Sequence, residues 1–290
     1  MRKAPPSERD EAVHDARKSL KKVRAVLRLM FKEMGPVASA ENALFRDLAR
    51  KLSALRDAAV LLETLDSLEK ELPESVDPRL LATARESLAE DRAQVTGGLP
   101  EAQLTTAVAF ALERACERVR TWPLRATGFA ALKPGLRRTF HRGRESLACV
   151  RENPSPELFH EWRKRVKDHW YHMRLLEGAW TEATRSYERS LKELETCLGD
   201  DHNLAMLRER AVAMGSAVES DVLLAAIDRR QKLLRDRALH IGGRLYAPKS
   251  REFVQNIEEQ WNAWQAKQTA GSHGRRTKQR RMRNAKAPAA

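Results

Sequence analysis

Apolar residues along this chain recur at three- and four-residue intervals and almost never alternate. Over residues 10–33, Val13, Ala16, Leu20, Val23, Leu27, Met30 and Phe31 fall on one side of a helix turned by about 100° per residue. Such a stripe predicts a core-facing helix, and Gly35-Pro36 predicts its end. The same period predicts a second helix over 41–71, ending before Pro73. Asp77 reads as an N-cap and Pro78 as the first residue of a third helix, which runs to Gly97-Gly98. A fourth covers 101–121, and a linking helix covers 131–151 and is closed by Asn153-Pro154. Ser155 and Pro156 repeat the cap-then-proline opening, and helices follow at 156–178, 182–214, 219–241 and 249–265. No convincing strand pattern is present, and 13 Gly and 12 Pro are too few for a chain of many tight β-turns. The expected class is all-α.

The chain also matches itself. Shifted by 146 positions, Glu11, His14, Arg17, Lys18, Lys21, Arg28 and Leu29 fall on Glu157, His160, Arg163, Lys164, Lys167, Arg174 and Leu175. The register holds from Leu48, Leu52, Ala59 and Glu63 to Leu194, Leu198, Ala205 and Glu209. One residue is then lost, and Arg85, Leu88, Asp91, Arg92 and Ala93 match Arg230, Leu233, Asp236, Arg237 and Ala238. This predicts a duplicated unit: two antiparallel four-helix bundles with a pseudo-twofold relation, residues 1–128 and 129–264, the second including the linking helix.

At 42% hydrophobic residues the chain has enough apolar material for a core, and no run of eighteen apolar residues predicts a membrane span. The first ten residues contain no apolar stretch, so no secretory signal is expected. Cys116, Cys149 and Cys197 are widely spaced and read as buried thiols of a reducing cytoplasm. The charge is more informative, with 54 Lys+Arg against 40 Asp+Glu and a net charge of +14. Eight of those cations, Lys267, Arg275, Arg276, Lys278, Arg280, Arg281, Arg283 and Lys286, lie in residues 265–290, a segment without acids that reads as a disordered basic tail. The body therefore carries only +6, and a site there must come from clustering.

That clustering is visible on two helices. His14, Arg17, Lys18, Lys21, Arg24 and Arg28 form a cationic stripe opposite the core stripe, about 20 Å long and free of acids. His160, Arg163, Lys164, Lys167 and Arg174 take the same angles in the second copy, with Trp170 replacing Arg24. Like charges three and four residues apart destabilise a lone helix, so repeating them implies an anion that offsets them. A solvated face normally mixes signs and does not keep a histidine in register twice. Further candidates are Arg46 and Arg50 with Lys192 in the second copy, Arg85 and Arg92 with Arg230 and Arg237, and Arg138 and Arg142 on the linking helix. Asp57 is a candidate ion-pair partner for the first stripe, replaced by Asn203 in the second copy. His169 and His172 are spaced i,i+3 and could hold a metal, but lie away from His160 with no carboxylate or thiol beside them and read as core histidines.

His-x-x-Arg-Lys-x-x-Lys at 14–21 and at 160–167, with Leu-Ser-Ala-Leu-Arg-Asp at 52–57 and Leu-Gly-Asp-Asp-His-Asn at 198–203, resembles the CHAD domain, the conserved histidine α-helical domain, over residues 8–264. The resemblance implies paired helical bundles around a basic cavity that binds inorganic polyphosphate. It places His14, Arg17, Lys21, Arg28, His160, Arg163, Lys167 and Arg174 on the cavity wall. Asp168, where the first copy has Lys22, departs from the charge symmetry. Polyphosphate offers one charge per phosphate and no bases, which suits forked Arg and compact Lys contacts without stacking platforms. Histidine contacts would tighten binding as pH falls from about 8 to 6. The expectation is a cytoplasmic, non-catalytic polyphosphate binder, associated with polyphosphate granules, without cofactor, metal or membrane contact. The rival is nonspecific nucleic-acid binding through the basic surface and the C-terminal tail. No Gly-rich phosphate loop, nucleophile motif or Glu-x-Glu-x-Lys strand is present to suggest an enzyme.

Overall fold

The computed structural model describes residues 6–72, 78–97, 101–179, 181–215 and 221–284. Every regular element among them is helical. The first copy holds α1 (Pro6–Leu29), the short α2 (Phe31–Met34), α3 (Pro36–Lys51), α4 (Ser53–Glu69), α5 (Pro78–Gly97) and α6 (Glu101–Val119). The linking helix is α7 (Phe129–Glu152). The second copy holds α8 (Pro156–Leu175), α9 (Glu182–Ala213), α10 (Asp221–Leu245) and α11 (Ser250–Asn284).

The punctuation read from the sequence acts as expected at α8. The Ser155 side chain accepts a hydrogen bond from the Leu158 amide at 3.3 Å, and Pro156 follows as the first helical residue. Gly35 also ends a helix, at φ +54°, where a side chain would be strained. Pro36, however, starts α3 immediately rather than leaving a gap to residue 41. The helix expected over 41–71 is two helices meeting at Leu52, with no proline or glycine at the join. Its second-copy counterpart, α9, is unbroken for 32 residues.

The segment expected to be a disordered tail carries helical backbone as far as Asn284. Its Ala, Gln, Lys and Arg residues are good helix formers, and no proline occurs between Ser250 and Ala287. Two of the three cysteines also depart from expectation: Cys197 is buried, but Cys116 and Cys149 are exposed. No helix among the described residues is long and apolar enough to cross a membrane.

Two apolar clusters hold the helices. The smaller joins Leu20 and Leu27 of α1 with Phe45 and Leu48 of α3 and Val108 and Ala115 of α6. The larger spans both copies, placing Ala25 and Leu29 of α1, Leu65 and Leu68 of α4 and Leu88 of α5 with Phe140 of α7, Trp162 of α8 and Ile227 of α10. Accordingly α1 packs on both α7 and α8, and α4 packs on α9. Closest is the crossing of α7 over the end of α1, where a Cβ on Gly135 would fall 1.9 Å from the Leu29 carbonyl oxygen. His169 and His172, read as core or interface histidines, are buried in this core. His172 donates to the Ala25 carbonyl at 2.8 Å, and His169 Nδ1 lies 3.1 Å from the Tyr246 hydroxyl. The His172–Ala25 contact ties α8 to α1 beside the site.

Candidate functional site

The core stripes of α1 and α8 face the apolar clusters, so their cationic stripes are left to line a space between the two helices. That space is a cleft of about 730 Å³. Its wall includes His14, Arg17, Lys18, Lys21, Arg24 and Arg28 from α1, and Arg163, Lys164, Arg165 and Lys167 from α8. Helix α9 adds Lys192, His202 and Asn203, and α3 adds Asn42. Ten Lys and Arg residues thus share one wall with two carboxylates, Asp168 and Glu195.

Each carboxylate is engaged. Glu195 receives Lys167 at 3.0 Å and Lys192 at 2.6 Å. Its burial acts to raise its carboxyl, but the two lysines outweigh burial and hold it at about 2. Asp168 meets Arg28 at 2.5 Å. Burial raises the Asp168 carboxyl, and Arg28, Arg165 and Arg24 oppose that rise. The Asn42 carbonyl accepts from Arg24 at 3.2 Å and Arg28 at 3.3 Å, which orients both guanidinium groups.

The crowding of cations is strongest at Lys21, whose amine is pulled down to about 7 by burial first and then by Lys167, Arg17 and Arg163. Burial also lowers Lys167. His160 Nδ1 lies 3.1 Å from His202 Nδ1 at the cleft edge. Burial, then Lys164 and Arg163, lower His160, while burial, Arg163 and His160 bring His202 to about 4.

Several expected site residues lie elsewhere, most of them held by acids on their own or a neighbouring helix. Arg46 is forked onto Asp47, with Nε at 2.9 Å, and Arg50 points outward near the same carboxylate. Arg85 is bound by Asp66 and Glu69, and Arg237 by Glu193. Arg230 faces Glu71 at 3.2 Å in an adjoining pocket of about 240 Å³ with Glu63 and Asp200. Arg174 is exposed and leans over the Trp170 ring at 5.5 Å. His160 adjoins the cleft through His202 rather than forming its wall. Arg138 and Arg142 line a separate small chamber with Arg28, Arg165 and Asp168. Arg92 and Asp57 lie outside the residues whose side chains are described.

Among the wall residues that escaped the stripe reading are Asn42, Arg165, Glu195 and His202. His202 stands in the Leu-Gly-Asp-Asp-His-Asn segment and carried a signal. Glu195 did not, since the equivalent first-copy position is Ala49.

Helices alone, enclosing a cleft lined by ten cations, define an all-α protein with a site shaped for a polyanion. The family model of the CHAD domain matches residues 2–212, from the first helix through α9. The chain belongs to the CHAD-domain family, and CHAD domains are associated with polyphosphate binding. No curated protein and no solved structure gives a significant match.

Proposed function

We propose that this protein binds inorganic polyphosphate in the α1–α8 cleft, without turning it over, and that the cleft anchors it to polyphosphate granules. The observation that carries the reading is the wall of ten Lys and Arg residues among which only two carboxylates, Asp168 and Glu195, stand, with Glu161 pairing Lys164 and Arg165 from outside it. Arginine supplies forked donors and lysine a compact charge, and a flexible polymer of phosphates can meet both along the wall. A binding role without catalysis is supported by the state of the two carboxylates. Each is held by its own cations, so neither is placed as a general base for phosphoryl transfer.

A pseudo-twofold arrangement of the copies fits the same site. Lys21 and Lys167 occupy equivalent positions in the duplicated register, and Lys167 is the first charged neighbour acting on Lys21. The pairings of α1 with α8 and of α4 with α9 are likewise between equivalent elements.

The test is charge reversal of Arg17, Lys21, Arg163 and Lys167 together in the full chain. Affinity for long-chain polyphosphate should fall by roughly a hundredfold or more, given that charged hydrogen bonds contribute about 1.5–3 kcal/mol each. Helicity, followed by circular dichroism, should not change. Retained affinity with retained helicity would move binding off this face. Transfer RNA as competitor addresses the tail, because equal displacement from wild type and variant would assign polyanion binding to residues 265–290.

A further inference from the structure

The cleft has unlike ends. Beside Arg28 its wall is shared with the small chamber lined by Arg28, Arg138, Thr139, Arg142, Arg165 and Asp168. Four guanidinium groups face that chamber with one carboxylate among them. Its volume is about 20 Å³, room for one water and too little for a phosphate. Beyond it, Arg142 and Arg165 also line a shallow groove of about 200 Å³ with Glu145 and Glu161. The Asp168 carboxylate therefore stands between the cleft and the arginines Arg138 and Arg142 of α7.

The partners of the four arginines are unequal. Arg28 has Asp168 at 2.5 Å, and Arg165 has Glu161 at 3.3 Å. The Arg138 guanidinium lies 4.3 Å over the Phe31 ring. Arg142 makes no ion pair among the described residues; burial, Arg165 and Arg138 act against its charge, and Asp168 and Glu145 act more weakly in its favour. Within the chamber itself Asp168 is the one carboxylate among four guanidinium groups, and a phosphate would satisfy them more fully.

Nothing equivalent stands at the other end. The position corresponding to Asp168 is Lys22, and the one corresponding to Arg28 is Arg174. A Lys22–Arg174 contact would repel, and Arg174 instead rests on Trp170.

We propose that Asp168 is a stop: its carboxylate occupies Arg28, closes one end of the polyphosphate cleft, and holds a phosphate subsite of Arg138, Arg142 and Arg165 out of use. This rests on the polyphosphate reading above. A phosphate arriving at Arg28 meets a like charge, and displacing the carboxylate would leave it buried without its partner. Removing the carboxylate joins the two spaces and lets the bound chain run onto α7.

The test is a double-mutant cycle in the full-length protein, with long-chain polyphosphate titrated at several salt concentrations. Asp168→Ala should tighten binding by about tenfold, one arginine–phosphate contact, and steepen the logarithmic salt dependence by roughly one unit. Adding Arg142→Ala should cost at least fivefold more in the Asp168→Ala background than in wild type. Equal costs in both backgrounds, with wild-type binding intact, would mean that Asp168 acts only through general charge and would overturn the stop. Failure of wild type to bind polyphosphate at all would overturn the underlying reading instead. Asp168→Ser, which opens the same space with a polar side chain, takes the place of the alanine variant should that variant lose helicity.

Discussion

Lys21 is the residue on which the cleft acts most strongly. Burial and three like charges leave its amine titrating at about 7 in the free protein. A bound polyanion favours the charged amine and lifts that value, so from about pH 7 upward the complex holds more protons than the free protein, and affinity rises as pH falls. His202, at about 4, and His160, also lowered, open a second window below the ordinary histidine range. The tightening first expected from the His14 and His160 contacts between about pH 8 and 6 therefore passes, in its upper part, to Lys21. Calorimetric titration at pH 8 in buffers of different ionisation enthalpy should show proton uptake on binding. Lys21→Arg, which stays charged, should remove that uptake while the complex still forms, and unchanged uptake would place the titrating group elsewhere. The stripe residues were legible because an amphipathic period assigns faces within one helix. Arg85 and Arg237 were misplaced because the carboxylates that capture them, Asp66 and Glu193, lie on a different helix, and a single-helix period says nothing of neighbours.

Helix ends with a stereochemical cause were readable: Ser155-Pro156 opens α8, Pro78 begins α5 while Asp77, read as its cap, lies outside the described residues, and Asn153 follows the last residue of α7. The join at Leu52 was not, because neither proline nor glycine marks it. Also unreadable was the depth at which α7 crosses α1. Its cause is visible only in the structure, in Gly135 against the Leu29 carbonyl. Gly135→Ala should force the helices apart and destabilise the protein by about 1–3 kcal/mol or more, the cost of overpacking a close contact. Urea unfolding monitored by circular dichroism would measure it, and a loss below about 0.5 kcal/mol, the ordinary range for surface substitutions, would show that the crossing can yield. Arg28 stands one residue before Leu29, so the same variant should also weaken polyphosphate binding by disturbing the Arg28 end of the cleft.

At the scale of the whole molecule, the self-match between the two halves is clear in the sequence, but the sharing of one core between them is not. Leu65, Leu68 and Leu88 of the first copy pack in the same cluster as Trp162, Ile227 and Ala238 of the second. The copies should therefore unfold together. Calorimetry should show one transition, and residues 129–264 expressed alone should lack cooperative melting. Two resolved transitions would show that the copies are independent units. Addition of polyphosphate should raise the melting temperature of the intact chain, since a ligand that binds only the folded form stabilises it.

The Arg28–Asp168 pair depends on this joining of two copies in one chain. Two identical single-copy chains, paired as a homodimer, would carry the same residue at position 22 and at its counterpart. Lysine in both would give no carboxylate at either end, and aspartate in both would give one at each. Covalent fusion frees the copies to diverge at a single position, so a site built from a repeat can possess polarity, with a head and a foot, where a symmetric dimer could have neither.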